Sequence, residues 1–394
     1  RFDVIYSLSS NTFAALASGS FALAENYLFT TEAFMDYWHA LSDSGFLMME
    51  HQFYMPRLTS EVLEALKAME ISEPNSHFAI YDLPKMRRKV LLLSKQPLKA
   101  ELLRVALRDI TPDNFADVHL VYPAADSIQD NIYQRIVDQG WERVSDSLAI
   151  DISPNHDSRP FAAQMGLWKN LSFKKDSRLL PYEFRGFPLT KLILVIIILV
   201  VMILIFPLTL IPYFKKGPHL GLRHYLYFAF IGFAYMSIEL ILMQQYTLLV
   251  GPSMYSVAAI LMTLLLASGV GSHYAYRFNT RAIFSAILLW LILDIMFFNV
   301  AVGLLGDLGP ALRIISTIIL VAPLGFFMGM PFPKGVKQIG EMVDWGFAVN
   351  GAASVLGSVL TILIVINFGY SMGLFTGMVI YGLSYMLLRN SSVQ

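Results

Sequence analysis

Residues 192–213 have the sequence LILVIIILVVMILIFPLTLIPY, a run of 22 residues without a charged side chain. About 20 apolar residues in a helix span the ~30 Å hydrocarbon core of a bilayer, so this run predicts a membrane-spanning helix. The remainder of the chain contains six further apolar segments of similar length, at 224–250, 254–276, 282–305, 311–333, 346–368 and 371–389. Together they predict an all-α membrane bundle of about seven spans over residues 192–394.

The charged residues divide the chain at the same place. Of 29 Lys and Arg residues nine lie in 192–394, and of 29 Asp and Glu residues five lie there, which leaves 20 and 24 in residues 1–191. A soluble, slightly acidic part therefore precedes the membrane part. The chain contains no cysteine, which excludes disulfide bonds, thiolate metal ligands and a cysteine nucleophile.

Residues 1–168 predict an α/β domain, because short apolar runs alternate there with helical patterns. That alternation is typical of βαβ units on a mostly parallel sheet. We interpret the domain as the C-terminal part of a Rossmann-like fold, and we expect an upstream polypeptide or a partner subunit to complete it. Residues 1–191 contain no G-x-G-x-x-G motif. This chain alone is therefore expected to bind no nucleotide-like cofactor.

Two stretches of this domain carry a family resemblance. FDVIYSLSSN (2–11) and LFTTEAF (28–34) resemble a strand and the following helix of spermidine synthases, aminopropyltransferases with a methyltransferase-type Rossmann fold. In that family a carboxylate takes a proton from the attacking amine, and its position corresponds to Leu8. A second carboxylate corresponds to Asn11. An alkyl side chain accepts no proton, and a missing base costs ~10²- to 10⁴-fold in rate.

The same resemblance implies a binding site without a catalytic residue. The predicted substrate-binding residues are Ser9, Ser10 and Asn11. Decarboxylated S-adenosylmethionine or S-adenosylmethionine would be the cofactor only with an N-terminal half present. Outside this stretch, Thr30 or Thr31 is expected to cap a helix that has Glu32 in its first turn.

Four later stretches resemble membrane-bound spermidine synthase-like proteins, whose transferase-like domain is fused to a major-facilitator-like membrane region. ISPNHDSRPFAAQMGLW (152–168) resembles the segment that precedes their membrane helices, with Asp157, Arg159, Pro160 and Phe161 matching. A locally bonded turn is the alternative interpretation. Residues 233–272, 322–336 and 345–375 resemble their transmembrane block. The basic stretch 169–191 is interpreted as a juxtamembrane linker or a solvated connector.

Four polar side chains within the predicted spans are candidates for lining a membrane cavity. They are Glu239, Gln244, Asp294 and Asn350. Charged and polar groups at bilayer depth usually face a bundle interior or a cavity. The alternatives are a carboxyl group bonded to neighbouring helices and, for Asn350, a hydrogen bond between helices. His156 has no second ligand at metal spacing, so no metal site is predicted.

The distribution of Lys and Arg residues does not indicate on which side of the membrane the soluble part lies. Eight Lys and Arg residues lie in the loops on one side of the membrane. The loops on the other side carry one, and the linker adds five on that side, which makes six. Positive charge is typical of cytoplasmic loops, but counts of eight and six are too similar to assign the orientation. We expect a multi-pass protein of the bacterial inner membrane with the orientation open.

The leading functional hypothesis is a diverged aminopropyltransferase-like domain, weak or inactive as an enzyme, that serves a binding or regulatory role on a multi-pass membrane protein. Two alternatives stay open: a transporter of a polyamine or other small cation, and a membrane scaffold subunit. The expected partners are the lipid bilayer and a polyamine or small cation. No nucleic-acid partner is predicted.

Overall fold

A computed structural model describes residues 1–8, 26–99, 101, 103, 118–124, 131–171, 185–214, 219–251 and 253–389. The chain forms two compact units, Arg1–Lys191 and Leu192–Gln394. The substrate-binding candidates Ser9, Ser10 and Asn11, together with most of the basic linker, lie outside the described residues.

The first unit contains a five-stranded mixed sheet. Its strands are β1 (Phe2–Ser7), β2 (Leu41–His51), β3 (Phe78–Leu83), β4 (Arg88–Ser94) and β5 (His119–Tyr122). Their spatial order is β1-β2-β4-β3-β5. Strands β1 and β2 are parallel, whereas β2 with β4, β3 with β4 and β3 with β5 are antiparallel.

The expectation of a mostly parallel sheet is therefore wrong for the described strands. Only residues 84–87 separate β3 from β4. A parallel pair needs a crossover of a dozen or more residues, so a connection this short forces an antiparallel hairpin. The crossover between β1 and β2 is long enough to be parallel, and it includes a helix.

Within the described residues, four helices with defined bounds accompany this sheet: α1 (Thr31–Ala40), α2 (Met55–Ala68), α3 (Ile132–Gln139) and α4 (Trp141–Ser147). Thr30 caps α1, because its Oγ1 accepts a hydrogen bond from the Ala33 backbone N–H at 3.1 Å, and Glu32 lies in the first turn. The predicted cap is thus confirmed. Helix α2 is buried along most of its length, including the polar residues Arg57 and Glu61.

The second unit is helical. Helix α5 (Leu189–Val200) continues through a π-helical turn, Val201–Ile205, into α6 (Phe206–Thr209) and α7 (Ile211–Phe214). There follow α8 (Leu222–Gln245), α9 (Thr247–Val250), α10 (Ser253–Tyr274), α11 (Thr280–Leu305), α12 (Pro310–Met328), α13 (Pro331–Ile339), α14 (Val343–Phe368) and α15 (Tyr370–Arg389). Short 3₁₀ turns lie at Pro74–Ser76, Pro84–Met86, Trp168–Asn170, Ala275–Arg277 and Gly340–Met342.

Six stretches of the described residues are long and apolar enough to cross a membrane: Leu189–Thr209, Leu222–Val250, Met254–Arg277, Thr280–Leu305, Pro310–Phe368 and Tyr370–Arg389. The predicted segments 311–333 and 346–368 both fall within the 59-residue stretch Pro310–Phe368. Its helix is interrupted between Met328 and Pro331. The chain is therefore an integral, multi-pass membrane protein.

Helices α8 and α14 approach each other closely where small residues face the partner backbone. A Cβ at Gly232 would lie 2.3 Å from the Asn350 carbonyl oxygen, and one at Gly357 would lie 2.6 Å from the Phe233 carbonyl oxygen. The Ser354 hydroxyl donates to the Gly232 carbonyl at 3.2 Å. Glycine at these positions permits backbone contact between the two helices.

We predict that Gly232→Ala destabilises the bundle by about 1–3 kcal/mol, because the added methyl group overpacks the contact with Asn350. Gly351→Ala on α14 is the matched control, since a Cβ there meets nothing within 4 Å. Melting temperatures of the two purified variants in detergent check the prediction. Equal melting temperatures would contradict it.

Candidate functional sites

The carboxyl ends of β1 and β2 lie at the same edge of the sheet because the two strands are parallel. In open α/β folds, ligands bind at this edge. Leu8, the residue after β1, is 59% exposed there. Glu50, near the end of β2, pairs with the Arg88 guanidinium and accepts a hydrogen bond from Tyr6 Oη at 3.3 Å. Its carboxylate is therefore already neutralised by a cation.

The Asp-Ser-Arg-Pro-Phe segment (157–161) packs against both α1 and α2. The Thr30 hydroxyl donates to Asp157 Oδ1 at 2.8 Å, and the Asp157 backbone N–H donates to Glu32 Oε2 at 3.1 Å. Arg159 bonds locally, from Nη2 to Ser153 Oγ at 2.9 Å. The turn interpretation thus holds for Arg159, while Asp157 bonds across the fold instead.

His156 lies between carboxylates on two helices. Its Nδ1 is 3.4 Å from Glu32 Oε1, and its Nε2 is 3.6 Å from Glu64 Oε1. The hydrogen bond to Glu32 raises the pKa of His156, and the charges of both carboxylates add to that rise. Burial opposes ionisation of Glu32, yet the hydrogen bond with His156 leaves the pKa of Glu32 lowered. This arrangement favours an imidazolium that links α1 to α2.

Beneath that cluster, Arg57 is 1% exposed and anchors the same segment. Its guanidinium pairs with Asp151 at 3.2 Å and donates to the Ala162 carbonyl at 2.8 Å and the Gln164 carbonyl at 3.2 Å. Glu61, one turn along α2, accepts from the Asn155 backbone N–H at 3.2 Å and from Asn155 Nδ2 at 2.8 Å. These contacts fix the segment's backbone.

Burial perturbs two carboxyl groups of this region strongly. It raises the pKa of Glu61 to about 8 and the pKa of Asp157 to about 6. Glu61 Oε2 is buried without a hydrogen-bond partner. Glu61 is therefore a neutral acid at neutral pH. Within the described residues, no group of three or more His, Cys, Asp or Glu side chains is arranged to hold a metal ion.

The membrane unit contains a cavity of about 350 Å³ at the interruption between α12 and α13. Its wall includes Tyr235 of α8, Ser268 and Ser272 of α10, Asn350 of α14 and Tyr381 of α15. The interrupted helix contributes Met328, Gly329, Pro331, Phe332 and Pro333. The cavity is thus lined by hydroxyl, amide and aromatic groups at a place where a helix is broken.

Glu239 lies one helical turn after Tyr235 on α8 and is 5% exposed. The Tyr235 hydroxyl donates to Ser268 Oγ at 3.4 Å, so it is directed to α10. Among the residues that the structure describes, none forms a hydrogen bond with the Glu239 carboxyl group. A nearly buried carboxyl group without a hydrogen bond from these residues therefore lies one helical turn from Tyr235 of the cavity wall, although Glu239 itself is not among the described lining residues.

The four predicted cavity residues do not gather in one place. Asn350 lines the cavity and also donates to the Phe228 carbonyl at 3.1 Å, so it contacts both the cavity and α8. Glu239 lies one turn away. Gln244 lies farther along α8, and Asp294 on α11 accepts a hydrogen bond from Tyr246 Oη at 2.6 Å. Neither of those two is among the described lining residues.

Sequence reasoning missed Tyr235, Ser268, Ser272 and Tyr381. The spacing of four between Tyr235 and Glu239 was a usable signal, because residues four apart share a helix face. The two serines and Tyr381 come from other helices, and only the tertiary packing brings them to α8. A single sequence contains no signal for that pairing.

A larger groove of about 750 Å³ runs between α10 and α12. Its lining, which includes Tyr255, Met262 and Phe326, is apolar almost throughout. Met262 and Tyr255 are exposed on the surface of a membrane-spanning unit. The described lining of this groove has only Tyr255 and Thr263 as polar side chains, whereas that of the smaller cavity has two tyrosines, two serines and an asparagine, so the smaller cavity is the better candidate site.

Comparisons with known proteins identify no relative. No protein-family model, no curated protein and no solved structure matches the chain.

We predict that Glu61→Gln weakens the pH dependence of stability of the first unit. Glu61 has a folded pKa of about 8 against an ordinary value of 4.5, so its contribution is complete below pH 4.5 and declines as the pH rises toward 8. A glutamine amide does not titrate in this range, so the melting temperature of the variant should fall less steeply from pH 5 to pH 8. Across the full shift from 4.5 to about 8, the difference in unfolding free energy between wild type and variant amounts to about 5 kcal/mol at most, because one pKa unit corresponds to about 1.4 kcal/mol.

Glu70→Gln, at an exposed carboxyl group just after α2, is the control and should leave that slope unchanged. Thermal denaturation of the purified chain at several pH values provides the measurement. Identical slopes in the wild type and Glu61→Gln would mean that Glu61 is ionised throughout this range.

Proposed function

We propose that this multi-pass membrane protein binds a small organic cation in its helix bundle, and that its spermidine synthase-like domain performs no aminopropyl transfer. The observation that carries the proposal is Glu239, a carboxyl group at bilayer depth without a hydrogen bond from the described residues, one turn from a polar cavity. The bacterial inner membrane remains the predicted location, and no described residue bears on it.

Burying the Glu239 carboxylate within the membrane has a cost in free energy. Transferring an ionised carboxylate into a low-dielectric interior is expensive unless an opposite charge or hydrogen bonds compensate. Asp294 obtains such compensation from Tyr246 Oη. Glu239 obtains none from the described residues, so a bound cation or a proton is the partner that its position calls for.

The cavity has the size and construction of a binding site. Its volume of about 350 Å³ lies at the lower end of the range of small-molecule pockets. The α12 helix ends at Met328 beside it. The C-terminal end of a helix carries partial negative charge, and broken membrane helices place such ends at cation sites. Both features favour a small cation.

The first unit supports a non-catalytic role through its sheet edge. Leu8 occupies the position where the resemblance places the proton acceptor. Glu50, the carboxylate of β2 near that edge, is held by Arg88 and Tyr6. A carboxylate that takes a proton from the substrate loses its ion pair with the guanidinium. A carboxylate paired in this way is therefore a poor proton acceptor. A binding or regulatory role for this domain is the second candidate function.

We predict that Glu239→Gln weakens binding of organic cations by at least about tenfold, because truncating one partner of a desolvated charge pair typically costs 2–5 kcal/mol. Isothermal titration of putrescine, spermidine and choline into the purified full chain measures this loss. Asp294→Asn is the matched control: it also removes a buried carboxylate from a spanning helix, but it should leave affinity unchanged. Equal affinities in the wild type and Glu239→Gln would remove the basis of the proposal.

We predict that the full chain forms no methylthioadenosine from decarboxylated S-adenosylmethionine and putrescine above the background rate, because Leu8 accepts no proton and Glu50 is already bonded to Arg88 and Tyr6. Chromatographic detection of methylthioadenosine checks this expectation. Turnover that disappears in Glu50→Gln would contradict it and would identify Glu50 as the base.

A further inference from the structure

We infer that the membrane cavity selects a compact monovalent ammonium ion over a linear polyamine. This inference rests on the proposed cation-binding function and specifies the ligand class of the same site. Three properties of the described residues support it: the number of carboxylates, the aromatic wall, and the lysines on the short helix α13.

The carboxylates allow one ligand charge. Five helices, α8, α10, α12, α14 and α15, and the short α13 contribute to the wall, and within their described residues the acidic side chains are Glu239 and Asp344. Asp344 is exposed in the first turn of α14, whereas Glu239 is nearly buried. One buried carboxylate neutralises one positive charge. The second and third charges of spermidine would remain uncompensated in a low-dielectric region, which is strongly unfavourable.

The wall offers aromatic rings in place of further carboxylates. Tyr235, Phe332, Phe347 and Tyr381 all line the cavity, and the Phe332 and Phe347 ring centroids are 4.5 Å apart. Aromatic faces attract ammonium ions through their quadrupoles, and cages of such rings recognise alkylated ammonium groups. An alkylated ammonium ion needs few hydrogen-bond acceptors.

Helix α13 adds positive charge on one side of the site. Its residues Pro331, Phe332 and Pro333 line the cavity, and the same helix carries Lys334 and Lys337. Lys334 Nζ donates to the Phe278 carbonyl at 2.8 Å, and the Nζ atoms of Lys334 and Lys337 lie 5.7 and 5.6 Å from the Tyr276 ring centroid. These two charges repel any second positive charge that extends from the cavity in their direction. A monovalent ligand avoids that repulsion.

The test compares tetramethylammonium and choline with putrescine and spermidine by isothermal titration to the full chain in detergent, at constant ionic strength. We expect the two monovalent ions to bind at least about tenfold more tightly than spermidine, since each uncompensated charge is costly to bury. Phe347→Leu should weaken binding of tetramethylammonium at least severalfold. Phe368→Leu, an exposed ring on the same helix that is not among the described lining residues, should not.

The outcomes separate the two proposals. If spermidine binds more tightly than the monovalent ions and Glu239→Gln abolishes that binding, the monovalent selectivity is wrong while the cation site stands. If choline and tetramethylammonium bind but Phe347→Leu binds them as tightly as the wild type, the aromatic wall plays no part and the inference fails. If no cation binds the folded wild type, both proposals are wrong.

Discussion

The hydrocarbon core of a bilayer supplies no water, so every polar group on a spanning helix has to find its partner within the protein. The α8–α14 contact meets this constraint with glycines that bring the backbones together. The Asn350 amide then reaches the Phe228 carbonyl, and the Thr361 hydroxyl donates to Ser237 Oγ at 2.7 Å. Helix α8 is thereby fixed against α14. Because the orientation of α8 determines where Tyr235 and Glu239 point, the position of the cavity depends on this same contact.

In the first unit, too, a buried polar group has to find its partners within the protein. Arg57 is buried as completely as a core leucine, and its guanidinium is paired with Asp151 and with backbone carbonyls of the 161–164 segment. Removing one partner of such a buried pair typically costs about 3–5 kcal/mol, because the other charge stays buried. The Asp-Ser-Arg-Pro-Phe segment is therefore explained by its structural role, since Arg57 and Glu61 hold its backbone from below while His156 links α1 and α2 above it.

The sequence predicted those features that depend on local physics. Apolar length located the spanning segments. Thr30 was predictable as a cap because capping needs only neighbouring residues. The sheet was predicted incorrectly because the alternation of strands and helices suggested parallel strands. The short connection at 84–87 permits only an antiparallel pair. Glu239 was predictable as a rare charge in an apolar run. The serines and Tyr381 were not, because their relation to Glu239 exists only after five helices pack.

The two units differ in how their carboxylates are compensated, and this difference is the basis for proposing ligand binding in the bundle. At the described edge of the sheet, Glu50 has a guanidinium and a phenol, and the cluster around His156 has an imidazolium between two carboxylates. A cation therefore already lies against the carboxylates in both places. Glu61 avoids the problem by remaining protonated at neutral pH. Glu239 has neither a compensating cation nor a hydrogen bond among the described residues, and it lies one helical turn from Tyr235 of a cavity with aromatic walls. A ligand that supplies the compensation that the described residues do not give Glu239 is the physical basis of the proposed site.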